Sequence, residues 1–177
     1  MSVVPAAFSG TIICHFTSSR YELSFSGWFN SDSRPQRWNQ LFFEKTTLKE
    51  MGLRVQLGHM GSVCLVPRPG HKDFIVLHTN GLHYVAVDFC GCDHRITSRQ
   101  QLLRIEWYPA TVHYPQTCAT YRLLELFHTV TLTGKLSAHE FYKALEHLTD
   151  NTGLNVPKVS RAFLCMIKID VTFSDTL

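Results

Sequence analysis

The stretch Phe74-Ile-Val-Leu-His-Thr-Asn-Gly-Leu-His-Tyr-Val-Ala-Val-Asp-Phe-Cys-Gly-Cys92 decides how this 177-residue chain is read. It joins two β-branched and aromatic segments at Asn80-Gly81 and ends in two cysteines separated by one glycine. The first feature predicts a β-hairpin. Both central residues of a type I′ turn need positive φ, which Asn and Gly tolerate best, and a two-residue loop sets the register of the arms. That register places Thr79 against Leu82 and His78 against His83. The facing histidines then share one side with Phe74, Val76, Val85 and Val87, while Tyr84, Ala86, Asp88 and Cys90 take the other.

The second feature bears on chemistry. With no side chain on Gly91, the backbone can curl tightly and aim the sulfurs of Cys90 and Cys92 at one ion about 2.3 Å from each. A disulfide between the two is hindered by their closeness. Two more ligands are within plausible reach upstream, because His59-Met-Gly-Ser-Val-Cys64 offers an imidazole and a thiol across a Gly-Ser loop. A Cys₃His site of His59, Cys64, Cys90 and Cys92 is chemically sensible. The residues alone leave open the alternative of inert, partly buried thiols. His78 and His83 carry two readings as well, a metal shared across adjacent strands or ordinary packing on a half-buried strand. His94 is a reserve ligand, and Cys14, Cys118 and Cys165 stand without neighbours at ligand spacing.

Outward from this centre, Thr47 to Leu53 reads as a helical turn closed by Gly52. After Arg99 the period changes to helical. From Thr120 to Leu132, Tyr121, Leu124, Phe127 and Val130 or Thr131 form one stripe; Ser137-Ala-His-Glu140 is a capping box opening a helix with Phe141, Ala144, Leu145 and Leu148 inward. Gly134 and Asp150-Asn-Thr-Gly153 punctuate these helices. The expected class is α+β: a small antiparallel sheet with a β-hairpin and a zinc-type Cys/His cluster, followed by an antiparallel helix pair. Residues 1–37, serine-rich and without a helical period, make a poorly defined N-terminal segment.

Composition narrows the function classes. With 45% hydrophobic and 18% charged residues, the chain can bury a core and is not a disordered tail. Its net charge of +3 permits acidic partners, but the basic residues are scattered, as on a solvated surface. The apolar stretch from Val3 to Phe16 lacks a charged leader and is too short to cross a bilayer, so neither export nor a membrane partner is expected. The cysteine spacing favours the inside of a cell. There is no Gly-rich phosphate loop, no His-Glu-x-x-His and no Gly-x-Ser-x-Gly elbow. Asp88, Asp93 and Asp150 can be imagined as a two-metal carboxylate set, against an easier reading as strand and helix-end residues.

From Trp38 to about Gly153 the chain resembles the CxC-type cysteine cluster domain associated with KDZ transposases, found in mushroom-forming fungi. The matching phrases include Arg37-Trp-Asn39, Leu53-Arg-Val-Gln-Leu-Gly-His59, Cys64, His78-Thr-Asn-Gly81, Val87-Asp-Phe-Cys-Gly-Cys92, Trp107-Tyr-Pro-Ala-Thr111 and Phe127-His-Thr-Val-Thr-Leu-Thr-Gly134. The resemblance implies a domain over 38–153 and a divergent C-terminal segment over 154–177. It implies zinc as cofactor, with His59, Cys64, Cys90 and Cys92 as ligands and His78 and His83 as additional metal positions. It further implies a transposase protein or DNA as partner, no small-molecule substrate, and an intracellular, nuclear setting. Two departures stand out. Residues 1–37 hold only Cys14 and His15 where the family has a further Cys/His cluster, and the chain stops at Leu177 before a nuclease-like region. The expectation is therefore a non-catalytic zinc-binding module, a truncated relic or accessory of a DNA transposon. A metal-free protein-interaction domain and a metal-dependent nuclease fragment are the alternatives.

Overall fold

The structure is a computed structural model that describes residues 12–15, 36–38, 40–50, 52–59, 63–150, 152 and 156–174. Most of the serine-rich stretch before Arg37 lies outside the described residues, as do Asn151 and Gly153. In chain order the strands are β1 (Ile12–His15), β2 (Gln36–Trp38), β3 (Phe43–Lys45), β4 (Leu53–Gln56), β5 (Pro67–Pro69), β6 (Ile75–His78), β7 (Gly81–Tyr84), β8 (Ala86–Cys90), β9 (Trp107–Pro109) and β10 (Thr117–Thr120). The helices are α1 (Ser98–Leu103), α2 (Tyr121–Gly134), α3 (Ala138–Thr149) and α4 (Ser160–Ser174). The chain divides into two compact units, Met1–Phe74 with Tyr84–Ile96, and Ile75–His83 with Thr97–Leu177. The class is α+β, as expected.

The first unit is built on a sheet of order β1-β4-β8-β5, beside the small antiparallel ladder β2-β3. The chain reaches β4 through the predicted turn. Thr47 and Glu50 form a reciprocal cap, with Glu50 N–H donating to Thr47 Oγ1 at 3.1 Å and Thr47 N–H to Glu50 Oε2 at 3.0 Å. The turn closes as a Schellman motif: Leu53 N–H donates to Leu48 O and Gly52 N–H to Lys49 O, both at 3.0 Å. Gly52, at φ +84°, occupies the left-handed position that this closure requires. Leu48 and Leu53 are both buried beneath it. β4 then runs parallel to β1 and β8, with Leu53 and Val55 in the core. β5 pairs antiparallel with β8 through Arg68↔Phe89. Gly91 N–H donates to Val66 O and Gly70 N–H to Val87 O, so Pro67 and Pro69 fall at the intervening positions and remove no ladder bond.

The second unit carries a sheet of order β7-β6-β10-β9. β6 and β10, wholly buried and parallel, occupy its middle, and β9 is antiparallel to β10. Both sheets are therefore mixed rather than antiparallel, because β4, β8 and β10 each return through a connection long enough to bring them alongside an earlier strand in the same direction. Around this sheet the three longer helices share an aromatic cluster, in which Phe127, Phe141 and Phe163 lie 5.1–5.9 Å apart by ring centroids. Tyr142 joins it, donating from its hydroxyl to Pro157 O at 3.1 Å and accepting from Val159 N–H at 3.0 Å.

Several expectations need correction here. The long hairpin is cut short: its arms are only β6 and β7, and after Val85 the chain enters the other sheet as β8. Its turn is Thr79-Asn80, one residue earlier than expected, and Gly81 opens β7 at φ +133°. The physical reason is the helix end that Gly81 touches. A Cβ on Gly81 would lie 2.7 Å from Thr149 Oγ1, and Leu82 N–H donates to that same hydroxyl at 2.8 Å. Glycine is used there for close approach and strand geometry. Across the turn from His78 stands Gly81, so the expected facing of His78 and His83 is lost. On α2 the buried stripe is Leu123, Leu124 and Phe127, and Tyr121 is exposed; on α3 Tyr142 replaces Ala144 and Leu148 among the buried residues. The left-handed residue ending α2 is Lys135, at φ +52°, rather than Gly134.

Candidate metal centre

Four side chains from two loops of the first unit meet in one place. His59 follows β4 by three residues, just past Gly58 at φ +94°. Cys64 lies in the approach to β5, and Cys90 and Cys92 flank the glycine where β8 ends. The antiparallel pairing of β5 with β8 brings the two cysteine-bearing segments together, and the Gly91 N–H to Val66 O bond, 2.9 Å long, closes them. Gly91 is essential to that approach. A Cβ added to it would sit 2.7 Å from Val66 O and 3.2 Å from Arg68 Cγ. Arg68 also donates from Nη2 to Cys90 O at 3.3 Å, fastening the same corner.

The ligand atoms of His59, Cys64, Cys90 and Cys92 all lie within 4.8 Å of one another. Cys64 Sγ is 3.5 Å from Cys92 Sγ, and Cys90 Sγ is 3.2 Å from His59 Nε2. A tetrahedral zinc with Zn–S near 2.3 Å and Zn–N near 2.0–2.1 Å would space its sulfurs by about 3.8 Å and a sulfur and nitrogen by about 3.5 Å. These two separations fall about 0.3 Å short of the tetrahedral spacings, and every other pair lies within 4.8 Å, close enough for the four residues to converge on a single four-coordinate ion. Cys64 and Cys90 are buried, His59 is partly buried and Cys92 is exposed. Backbone amides already point at the sulfurs: Cys92 N–H donates to Cys90 Sγ at 3.4 Å.

The electrostatics of the thiols suit a cation. Burial opposes ionisation of Cys64, but hydrogen bonds from the Val66 backbone, from the Cys92 and Cys90 thiols and from the Gly91 backbone outweigh it and bring its pKa down to about 7. Cys90 is pushed up, first by burial and then by the neighbouring thiols. One thiolate therefore forms readily while the next is opposed by it, and a bound cation relieves that opposition.

A family model described as CxC2 like cysteine cluster associated with KDZ transposases matches residues 48–153, well over half of the chain. The chain belongs to this family. All four clustered residues of the CxC2 domain lie inside the matched span, which holds the single Cys-x-Cys of the sequence. No curated protein and no solved structure matches the chain.

The other candidate residues of the CxC2 domain are placed differently. His78 and His83 belong to no ligand cluster among the described residues. His78 Nδ1 hydrogen-bonds Thr120 Oγ1 at 2.9 Å, the hydroxyl that caps α2, and His83 Nε2 hydrogen-bonds Asn80 Oδ1 at 2.7 Å. Burial first, then the charge of Arg122 for His78 and, for His83, repulsion from His78 once that ring is protonated, lower both pKa values to about 4. These are features of packed, neutral imidazoles. His94 is exposed and outside the cluster, Cys118 is core on β10, and Cys165 is exposed. The side chain of Cys14 is not among those described. The three aspartates each have local partners. Asp88 pairs with Arg54 at 2.6 Å, Asp93 accepts from Arg95 N–H at 2.9 Å, and Asp150 accepts from the hydroxyl and N–H of Thr152 at 2.7 and 3.2 Å. Sequence reasoning missed Gln56, whose Oε1 accepts from Cys64 N–H at 3.0 Å. Its strand, Leu53-Arg-Val-Gln56, alternates apolar and polar residues, so the pattern alone reads Gln56 as a solvent-facing position and carries no signal for it. No described helix is long and apolar enough to cross a membrane.

Proposed function

We propose that the chain is a non-catalytic zinc-binding module that works beside a KDZ-type transposase. His59, Cys64, Cys90 and Cys92 hold the ion, and the ion pins the loop before β5 against the end of β8. The observation that carries this reading is the convergence of one imidazole and three thiols within 4.8 Å. Zinc fits better than the harder divalent ions, because thiolate-rich tetrahedral sets select soft or borderline metals. Four protein ligands close the coordination sphere, leaving no position for an activated water, so the metal acts on structure rather than on a substrate. The engagement of Asp88, Asp93 and Asp150 in local contacts favours this over a nuclease fragment. The family description favours a transposase protein or its DNA as partner, and with it an intracellular, nuclear place of work.

Metal analysis of protein purified without added metal tests the reading. One equivalent of zinc per chain is expected, falling well below one in Cys90→Ser and Cys64→Ser. Wild-type protein that carries no metal and takes up none on titration would refute it.

A further inference from the structure

We infer that Gln56 is a positioning residue of the metal site, setting how tightly the His59, Cys64, Cys90 and Cys92 cluster holds its ion. The inference rests on the zinc-binding reading and adds to it a residue that touches no metal. Gln56 ends β4 and is only 5% exposed, where the preceding core positions of that strand are Leu53 and Val55. A buried amide at such a position is costly unless paired. Its pairing is with the metal loop: Oε1 accepts the Cys64 N–H at 3.0 Å, spanning eight residues of chain in a buried setting.

Cys64 is thereby held at two points. Its sulfur accepts from the Val66 backbone, within its own loop, while its amide is tied to the sheet through Gln56. The backbone of Gln56 is fixed in turn, because Gln56 registers with Asp88 of β8 and Leu57 N–H donates to Asp88 O at 2.8 Å. β8 also carries Cys90 at its end. Gln56 therefore sets the distance between the Cys64 thiol and the Cys90–Cys92 pair, using the β4–β8 ladder as the reference. Metal–sulfur bonds tolerate displacements of only about 0.2 Å, so a loop free to drift loses affinity before it loses its fold. Outer partners of metal ligands are worth about 10–100-fold in affinity when removed.

The test compares full-length wild-type protein with Gln56→Met, which keeps length and bulk without the acceptor, and Gln56→Glu, which keeps an acceptor oxygen. Zinc affinity is read by competition with a chromophoric chelator, and thiolate ligation by the charge-transfer bands of the cobalt(II) derivative. Expected are a zinc affinity about 10–100-fold lower in Gln56→Met, with weaker thiolate-to-cobalt bands, and substantial recovery of both in Gln56→Glu. Equal affinity and equal bands in wild type and Gln56→Met would overturn the inference while leaving the zinc reading intact. Wild-type protein that binds neither zinc nor cobalt would overturn both. Should Gln56→Met fail to fold, amide exchange on the metal-loaded wild type decides the matter. Protection of the Cys64 N–H supports the tie, and exchange as fast as that of the exposed neighbour Leu65 refutes it.

Discussion

Gly91 shows how a single missing side chain positions two sulfurs. Its φ is not in the left-handed region, so its requirement comes from space: a methyl group would press on Val66 O at 2.7 Å, and backbone cannot rotate away as a side-chain end would. Gly91→Ala should destabilise the protein by about 1–3 kcal/mol, read as a lower urea midpoint, and should weaken zinc binding in the same preparation. Gly134→Ala is the control, since nothing lies within 4 Å of a Cβ there; in the last turn of a helix it should be neutral or stabilise by up to about 1 kcal/mol. His78 and His83 give a pH signature of known sign. Their folded pKa values are about 4, below the ordinary histidine value of 6.5. Between those values the unfolded chain binds more protons, so stability is full above pH 6.5 and falls as the pH drops towards 4. The slope approaches about 1.4 kcal/mol per pH unit for each histidine. Urea unfolding of wild type and of the His78→Gln/His83→Gln double variant at pH 7.5 and pH 5 measures the difference; an equal loss in both proteins would contradict the assignment.

At the level of elements, what could be read from the sequence was what local chemistry specifies. The turn from Thr47 to Leu53 and the cap of α3 were legible because capping side chains and a Schellman glycine act within six residues of chain, and the start of α2 near Thr120 was legible from its apolar period. Ser137→Ala removes a hydroxyl that accepts from Glu140 N–H and donates to its carboxylate, and should cost about 1 kcal/mol in urea unfolding. Asn80-Gly81 was a persuasive turn signal that misled by one residue. Its glycine answers instead to Thr149, far along the chain, and no local rule encodes that contact. The same holds for strand pairing. β7 and β8, separated by Val85 alone, part into different sheets, because β7 stays with β6, whose other neighbour is the distant β10, while β8 takes the distant β4. The helix faces were half legible: periodicity located Phe127, Phe141 and Leu145, while Tyr142 is drawn inward by its bonds to Pro157 and Val159. In the candidate metal centre the four residues that converge were readable from residue type and spacing together with a family resemblance. Gln56 was not, since its value lies in an acceptor atom reaching across eight residues.

For the molecule as a whole, the placement of the cluster predicts that loss of the proposed ion is a local event in its first effects. All four clustered residues belong to the unit formed by Met1–Phe74 and Tyr84–Ile96, and none to the unit formed by Ile75–His83 and Thr97–Leu177. Among its described residues the first unit has strands and turns but no helix, and a loop whose ends the ion would join. The second has an aromatic cluster shared by three helices and two wholly buried strands at the centre of its sheet. Local openings follow such differences in packing, because cooperative units with fewer buried contacts open at lower free energy. Chelation should therefore raise amide exchange first at Leu57, Cys64, Gly91 and Cys92, while the amides of Val76, Ala119 and Leu123 keep most of their protection. Thermal unfolding should shift downward by several degrees on chelation and recover when zinc is restored, as expected for an ion bound to the folded state alone. Exchange mass spectrometry before and after chelator reads the spatial pattern, and a uniform rise across both units would show instead that the ion supports the entire fold.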